Sequence, residues 1–312
     1  MKSFKLRRLK FLSVAACAVI LTGAAPPPTT PPPPDASKTT LTTTILTTGV
    51  AVIESDTQPV GDVGVSYGPD GILLIDDGFG TLTEKLNTAL KALSPGPVRF
   101  VVNSHYHFDH SKGNEAYGKA GAVIIAHDNI RKRMAAESDI EFANYHFPAS
   151  PKEALPVVTF ADSIVFHFNG DTIRLIHTPP GHTDGDTLIK FERANVLHTG
   201  DLYYIGGAPI IDVTAGGTSK GFLVGLDTAI KLTDDKTKII PGHGPVRTRA
   251  QLIAHRDELK AFVDRVTAEY KAGKTMEQII ALKIGWKSQP VSESYTPDYL
   301  VRSIYGELKA RK

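Results

Sequence analysis

The stretch Asn103-Ser104-His105-Tyr106-His107-Phe108-Asp109-His110 places four residues that can bind a metal ion within six consecutive positions. In an extended segment, side chains two positions apart project to the same side, so His105 and His107 can share one ion. A glycine and an asparagine follow the motif and indicate that the chain turns into a helix there. Asp109 and His110 can then face a second ion. The spacing therefore predicts a metal site with two adjacent positions.

Apolar residues run up to this motif and indicate a buried strand over residues 98–102 that ends in it. The end of a rigid strand is a usual place for chemistry in α/β proteins. A polar surface loop or a tag-like histidine tract is disfavoured, because the tract is short, regularly interrupted and joined to a strand. The H-x-H-x-D-H order resembles that of the metallo-β-lactamase superfamily, a group of mostly dinuclear zinc hydrolases. The resemblance covers roughly residues 40–250 and implies an α/β fold, a four-layered αβ/βα sandwich with the site at one edge.

Three further candidate ligands each follow a predicted strand and lie next to a glycine: His182, Asp201 and His243. Glycine lets the backbone turn tightly and approach an ion closely. A single histidine in a glycine turn is usually structural, but all three residues occur in the order that the resemblance requires. The resemblance then implies two ion positions that share one carboxylate. It assigns His105, His107 and His182 to one ion, Asp109, His110 and His243 to the other, and Asp201 as a bridge between them.

Nitrogen and carboxylate ligands without sulfur suit two zinc ions, although iron and manganese are also compatible with them. Two such ions, about 3.5–4 Å apart, share a water, lower its pKa toward about 7 and stabilise a developing oxyanion. We therefore expect a metal-dependent hydrolase in which a metal-bound hydroxide attacks a small ester, lactone, thioester or amide. Asp109 is placed to orient that nucleophile and to take its proton.

Rival functions follow from the same resemblance. Family members that use cysteine or serine at the bridging position differ from this chain, whose Asp201 resembles the group with glyoxalase II, lactonases and RNA-processing nucleases. Hydrolysis of β-lactam antibiotics stays open as a side activity. A nucleic-acid-processing phosphodiesterase is disfavoured by the charge of the chain, and a non-catalytic or oxygen-handling di-iron protein by the complete set of seven ligands. We expect a small-molecule substrate and no nucleic acid, and the sequence does not indicate an oligomeric state.

The first 24 residues have the pattern of a signal peptide: five basic residues, an apolar run over 11–21 and small residues before position 25. Cys17 ends a lipobox-like Val14-Ala15-Ala16-Cys17, so a lipid anchor at Cys17 is the alternative to cleavage after Ala24. Either route predicts a periplasmic or secreted protein, which would contact a membrane only through a lipidated Cys17. Without these 24 residues the chain has 30 basic and 33 acidic residues, which disfavours binding to nucleic acid.

Residues 25–38 are rich in proline and threonine and predict an extended linker, so the hydrolase domain should span residues 39–312. The composition, with 41% hydrophobic and 22% charged residues, is that of a folded domain with a sizeable core. Leucines at helical spacing predict a helix over 81–93, and short strands are predicted over 157–160, 163–168, 171–177, 187–191 and 195–199. Amphipathic patterns after residue 247 predict a C-terminal helical extension.

Several residues near the motifs have two interpretations. Tyr204 and Asp212 follow the bridging aspartate and could line a substrate pocket, or they could belong to structural turns. Asp76 and Asp77 end a predicted strand and could orient ligand histidines or form a turn. His127, at the end of a predicted strand, is predicted on the surface at a helix start, with a place lining the site as the alternative. The aromatic segment 139–156 could be a substrate flap or a lid packed on the core.

Overall fold

A computed structural model describes residues 29–30, 32–287 and 296–310. The predicted signal peptide, Cys17 and the start of the predicted linker lie outside these residues. Of the predicted linker, residues 29–30 and 32–38 are described: Thr29 forms a single bridge with Tyr145, and residues 32–38 contain a turn but no strand or helix. The first strand begins at Leu41, two residues after the predicted domain start.

In the part of the chain that the structure describes, fourteen strands form two large sheets and one small hairpin. The larger sheet has the strand order β1-β2-β3-β4-β5-β6-β9, and the second sheet has the order β10-β11-β12-β13-β14. Strands β7 and β8 pair with each other, and Tyr145 of β8 also forms a single bridge with Thr29. The strands are β1 (Leu41–Thr47), β2 (Val50–Ser55), β3 (Val63–Gly68), β4 (Gly71–Ile75), β5 (Val98–Val102), β6 (Val123–His127), β7 (Ser138–Ile140), β8 (Tyr145–Phe147), β9 (Val158–Phe160), β10 (Ser163–Phe168), β11 (Asp171–His177), β12 (Thr187–Phe191), β13 (Val196–His198) and β14 (Lys238–Ile240).

Eight α-helices and four short 3₁₀ helices join these strands within the described residues. The helices are α1 (Thr83–Leu93), α2 (Phe108–Ser111), α3 (Asn114–Lys119), α4 (Asp128–Met134), α5 (Ser219–Lys231), α6 (Arg249–Lys271), α7 (Met276–Ala281) and α8 (Pro297–Ala310). The 3₁₀ turns cover Gly80–Leu82, Glu141–Ala143, Lys152–Ala154 and Gly200–Leu202. None of the helices described is long and apolar enough to cross a membrane.

The two large sheets pack face to face and bury an apolar layer between them. Strand β4 shows how the sequence achieves this, because all five of its residues are buried and alternate between two cores. Leu73 and Ile75 face the layer between the sheets, where they pack with Phe191 and Ile240 of the second sheet. Burying both faces of each sheet requires helices outside, and these form the outer layers.

The outer layers are helices packed on the remaining faces of the sheets. Leu86 and Leu90 of α1 pack with Ile72 and Leu74 of β4 on one side. On the other side, helices α5, α6, α7 and α8 cover the outer face of the second sheet, and Leu259 of α6 is fully buried there. The predicted four-layered αβ/βα sandwich and the C-terminal helical extension are therefore confirmed.

Parallel pairing places the metal motif at one edge of this sandwich. Strands β4, β5, β6 and β9 run parallel, so their carboxyl ends lie at the same edge of the larger sheet. The motif leaves β5 at this edge. The three other candidate ligands follow β11, β13 and β14 of the second sheet. The candidate ligands therefore come from both sheets and meet where the sheets end.

Candidate metal centre

The H-x-H-x-D-H motif lies in the loop that follows β5 and continues into α2. Its side chains are buried, with His105 and His110 at 1% and 0% exposure. Two reciprocal hydrogen bonds of 3.0 and 2.8 Å join the side-chain amides of Asn103 and Asn114 and fasten the start of the loop to α3. The extended loop thus presents His105 and His107 first, and the turn into α2 then presents Asp109 and His110.

The first group of candidate ligands contains His105, His107, His182 and Asp201, whose ligand atoms all lie within 4.8 Å of one another. Nε2 of His182 lies 2.8 Å from Nδ1 of His107 and 3.6 Å from Oδ2 of Asp201. Nε2 of His105 lies 3.9 Å from the same Asp201 oxygen. Three imidazole nitrogens and one carboxylate oxygen therefore converge on one position.

The second group contains Asp109, His110 and His243. Nε2 of His243 lies 3.1 Å from Nε2 of His110 and 3.2 Å from Oδ2 of Asp109. The other oxygen of Asp201, Oδ1, lies 3.3 Å from Nε2 of His110 and 3.6 Å from Nε2 of His243. The two carboxylate oxygens of Asp201 thus face different groups, which is the arrangement that a bridging ligand needs.

The residues of both groups fit metal ions. Nε2 of His105 is buried without a hydrogen bond, and an unsatisfied buried nitrogen that points at three other ligand atoms is suited to an ion. Imidazole and carboxylate donors without a thiolate are the ligands of a zinc-type site. Asp76 also lies close to His105 and His110. Its carboxylate, however, contacts Nδ1 of His110, whereas Nε2 of that ring faces the other candidate ligands.

Asp76 supports the motif from behind. It directly follows β4, has a left-handed backbone (φ +60°) and is fully buried. Its Oδ1 accepts a 2.7 Å hydrogen bond from the Ser104 amide, and its Oδ2 lies 2.8 Å from Nδ1 of His110. Ser104 Oγ also donates to Asp76 and lies 3.0 Å from Nδ1 of His105. One carboxylate therefore orients two candidate ligands, which is the supporting role that the sequence allowed for Asp76.

Asp212 contacts another ligand in the same way. Its Oδ2 lies 2.9 Å from Nε2 of His107 and accepts a 2.9 Å hydrogen bond from the Tyr106 hydroxyl. Its Oδ1 accepts bonds from Thr214 and from the Ala215 amide. With 1% exposure and both oxygens engaged, Asp212 supports His107 in this structure, whereas the sequence suggested contact with substrate. No sequence spacing signals this contact, because 105 positions separate the two residues.

His182 is held by its own loop. Its Nδ1 lies 2.8 Å from the Ile210 carbonyl oxygen, so Nε2 is left to face the first group. The amides of His182 and Thr183 donate to the buried carboxylate of Asp186, which fixes the glycine turn that carries the ligand. Burial raises the pKa of Asp186 to about 6 even though these bonds oppose the rise.

The charges of the two groups depend on each other. Burial alone would lower the pKa of His243, but Asp201 and Asp109 raise it to about 10. Burial would raise the pKa of Asp201, yet His243, His110 and His105 hold it well below its usual range. Burial and the neighbouring His110 lower the pKa of His105. The carboxylates are therefore ionised and draw positive charge to this site, as a metal site requires.

A narrow cavity of about 20 Å³ opens on these ligands. Residues that are not candidate ligands line the rest of it: Gln58, Pro59, Phe108, Tyr204 and Ile210. The Tyr204 ring meets the His243 ring edge-on, with 5.3 Å between the ring centres. The structure thus places Tyr204 beside the ligands and in the cavity wall. Nothing in the sequence pattern marked Gln58, Pro59 or Ile210 as part of the site.

The aromatic segment 139–156 packs on the core beside this cavity. It contains the β7–β8 hairpin, and Phe147 of that hairpin stacks on Phe108 with 4.9 Å between ring centres. Ile140 and Phe147 are both buried in one apolar cluster with Phe108. The segment is therefore a lid packed on the core that supports one wall of the metal cavity.

Two histidines near the site lie outside the ligand groups. His198 is fully buried and its Nε2 lies 3.2 Å from the Asp62 carbonyl oxygen, so its ring belongs to the core and not to the ligand groups. His127 caps the start of α4, as the predicted helix start requires, but the prediction of a surface position was wrong. It is 5% exposed because its ring stacks on His177, with 3.6 Å between ring centres.

Comparison with known proteins agrees with this geometry. A family model described as Metallo-beta-lactamase superfamily matches residues 59–243. A hydroxyacylglutathione hydrolase from Pelagibacter ubique is 27% identical over 161 residues, which are 51% of this chain and 57% of that protein. The chain thus spans little more than half of that relative.

Solved structures show the same fold. A metallo-beta-lactamase from Pontibacter korlensis superposes with a TM-score of 0.60 at 21% identity, over 71% of this chain and 99% of that one. The sec-alkylsulfatase Pisa1 from Pseudomonas sp. gives a TM-score of 0.66 at 16% identity, over 86% of this chain and 50% of that one. The matched family region contains all seven candidate ligands, from His105 to His243. This chain belongs to the metallo-beta-lactamase superfamily.

Proposed function

We propose that the chain is an exported dinuclear zinc hydrolase that cleaves small ester, lactone, thioester or amide substrates. One observation carries the proposal: the two oxygens of Asp201 face two separate ligand groups. His105, His107 and His182 would hold one ion, and Asp109, His110 and His243 the other. When bound, two zinc ions supply a water of lowered pKa and Lewis-acid stabilisation of negative charge on the substrate oxygen.

Asp109 is the residue best placed to handle the proton of the attacking water. It lines the cavity, and its Oδ2 lies 3.2 Å from Nε2 of His243. Burial would raise the pKa of Asp109, but His110 and His243 hold it below the usual value, so the carboxylate is ionised at neutral pH. An ionised carboxylate beside the nucleophile orients the water and accepts its proton.

The cavity wall favours an uncharged reacting group. Pro59, Phe108 and Ile210 are apolar, and none of the described residues that line the cavity is a lysine or an arginine. Apart from the proposed ions, a carboxylate or phosphate next to the scissile bond would find no lysine or arginine in this cavity wall to pair with. This supports small acyl substrates over β-lactams and over the phosphodiesters of nucleic acid. We assign the Tyr204 ring, which lies beside His243, to contact with the substrate acyl group.

The test is a hydrolysis panel with the purified zinc-loaded protein. Lactones, acyl thioesters, aryl esters, β-lactams and a phosphodiester are compared by kcat/KM, with the same protein treated with chelator as control. The proposal expects metal-dependent turnover that is fastest for an uncharged ester, lactone or thioester. Highest turnover of a β-lactam or a phosphodiester would favour the corresponding alternative, and no turnover of any substrate would contradict the proposal.

Export rests on the first 24 residues and on Cys17. N-terminal sequencing of the protein from a periplasmic or membrane fraction should give a start at Ala25, or at a lipidated Cys17. Metabolic labelling with a fatty acid separates the two routes, because only the lipoprotein incorporates the label. An intact Met1 in the cytosolic fraction would contradict both.

A further inference from the structure

Residues Val60–Asp62 lie directly against the loops that carry the second ligand group. The Gly61 amide donates a 3.1 Å hydrogen bond to the Asp109 carbonyl oxygen, and the Asp62 amide donates a 2.8 Å bond to the Gly242 carbonyl oxygen. A Cβ atom at Gly61 would lie 2.4 Å from the His110 ring. This short segment thus touches the surroundings of all three ligands of one proposed ion, although it contributes no ligand itself.

The side chain of Asp62 is buried and incompletely satisfied. It is 3% exposed, and its Oδ2 is inaccessible to solvent and has no hydrogen-bond partner. Buried carboxylate oxygens in folded proteins are normally hydrogen-bonded, because leaving one unpaired costs its full desolvation energy. The unpaired Oδ2 of Asp62 therefore indicates that a hydrogen-bond donor lies within its reach.

A matching donor is present on His243. The Nε2 atom of this residue faces Asp109 and Asp201, so Nδ1 lies on the far edge of the ring. Nδ1 is also buried and has no hydrogen-bond partner. In each of the other four candidate ligand histidines, the ring nitrogen that faces away from the ion position has a hydrogen-bond partner. The partners are Ser104 for His105, Asp212 for His107, Asp76 for His110 and the Ile210 carbonyl for His182.

Asp62 and His243 also interact electrostatically. Burial raises the pKa of Asp62 well above its usual value, and His243 is the strongest of the neighbours that oppose this rise. No direct hydrogen bond joins the two side chains. A single buried water can accept from Nδ1–H of His243 and donate to Oδ2 of Asp62, and buried waters commonly satisfy such pairs.

We propose that Asp62 is a positioning residue that holds His243, through one buried water, in the tautomer with its proton on Nδ1 and with Nε2 free to bind metal. This inference rests on the proposed two-metal site. It supplies a hydrogen-bond partner for the ring of His243, the last of the seven proposed ligands in the sequence. A metal-bound histidine commonly donates its other ring N–H in this way.

The experiment compares variants of Asp62 in the full exported protein. Asp62→Val removes the acceptor at nearly constant size, and Asp62→Asn keeps an acceptor oxygen. Asp171→Asn is the matched control, because Asp171 is a buried carboxylate that accepts three backbone hydrogen bonds far from the ligands. Zinc affinity is measured by competition with a chelating dye, and zinc per chain by elemental analysis.

We expect Asp62→Val to lower the affinity for one of the two zinc ions by about 10–100-fold and to leave the affinity for the other unchanged. Asp62→Asn should retain more of the affinity than Asp62→Val, and Asp171→Asn should bind both ions as the wild type does. Wild-type affinity for both ions in Asp62→Val would overturn the inference. A wild-type protein that binds fewer than two ions would instead contradict the proposed function.

A structural measurement decides the matter if Asp62→Val does not fold. A high-resolution crystal structure of the zinc-loaded wild-type protein should show a water within hydrogen-bond distance of both His243 Nδ1 and Asp62 Oδ2. Another partner on Nδ1, or no water between the two atoms, would overturn the inference.

Discussion

The carboxylate of Asp212 lies 2.9 Å from Nε2 of His107, while Nδ1 of the same ring lies 2.8 Å from Nε2 of His182. The two nitrogens of His107 therefore have different partners, and the carboxylate fixes which one carries the proton. Among the three histidines of the first group, His107 thus presents Nδ1 to the ion position, whereas His105 and His182 present Nε2.

Replacing Asp212 should weaken the binding of the ion assigned to His105, His107 and His182. Asp212→Ala removes the acceptor that holds the His107 ring, and loss of such a partner costs about 10–100-fold in metal affinity or activity. Tyr106→Phe is the matched control, since it removes one donor to Asp212 but leaves the contact with His107. Zinc affinity is read by chelator competition. Equal losses in both variants, or none in Asp212→Ala, would contradict this role.

Replacing Asp201 should affect both ions. Asp201→Ala removes a carboxylate that faces both groups, so at least one zinc ion should be lost and turnover should fall. Because metal binding contributes folding free energy, chelator should lower the melting temperature less in the variant than in the wild type. Elemental analysis and thermal unfolding with and without chelator measure this. Two zinc ions and near-normal turnover in Asp201→Ala would show that the residue is not a bridge.

Hydrolysis should depend on pH. If zinc lowers the pKa of the attacking water to about 7, and its deprotonation controls the rate, single-turnover rates should rise with pH through that value. The measurement uses the best substrate of the panel between acid and alkaline pH, with zinc content verified at each point. A rate that does not change over this range would argue against this nucleophile.

His255 should make the fold sensitive to acid. This residue of α6 is buried beside Tyr203 and Trp286, and burial lowers its pKa to about 4 from the ordinary 6.5. Between these values the unfolded chain binds a proton that the folded chain does not bind. The free energy of unfolding therefore falls as the pH drops from 6.5 to 4, by roughly 3 kcal/mol from this residue.

His255→Phe keeps an aromatic ring and removes this titration. Urea unfolding at pH 7.5 and at pH 4.5 should show a smaller loss of stability for the variant than for the wild type, both measured with chelator present. Other residues contribute to the pH dependence of both proteins, so the difference between them isolates His255. Equal losses would contradict the buried, neutral state of this side chain.

Strands, helices and candidate ligands could be predicted because their signals are local. Strand 98–102 and the helix that begins at Thr83 follow from runs of apolar residues and from leucines at helical spacing. The contact of Asp212 with His107 could not be predicted, since Asp212 reaches His107 only through the packing of two distant loops. Strands β7 and β8 have three residues each, too few to show an alternating pattern. His127 was misjudged because its burial depends on His177, fifty positions away.

The ligands come from both sheets, and His110 and His243, which would bind the same ion, are 133 positions apart in the sequence. Bound zinc would therefore act as a cross-link that ties the amino-terminal and carboxyl-terminal halves of the chain together. By the loop-entropy argument used for disulfides, a link over such a span stabilises a fold by on the order of 5 kcal/mol. The sequence has a single cysteine, Cys17, so the two halves cannot be joined by an internal disulfide, and the proposed zinc ions would provide the link instead. A protease should accordingly cut the zinc-free protein faster than the loaded one, and cut it in both halves.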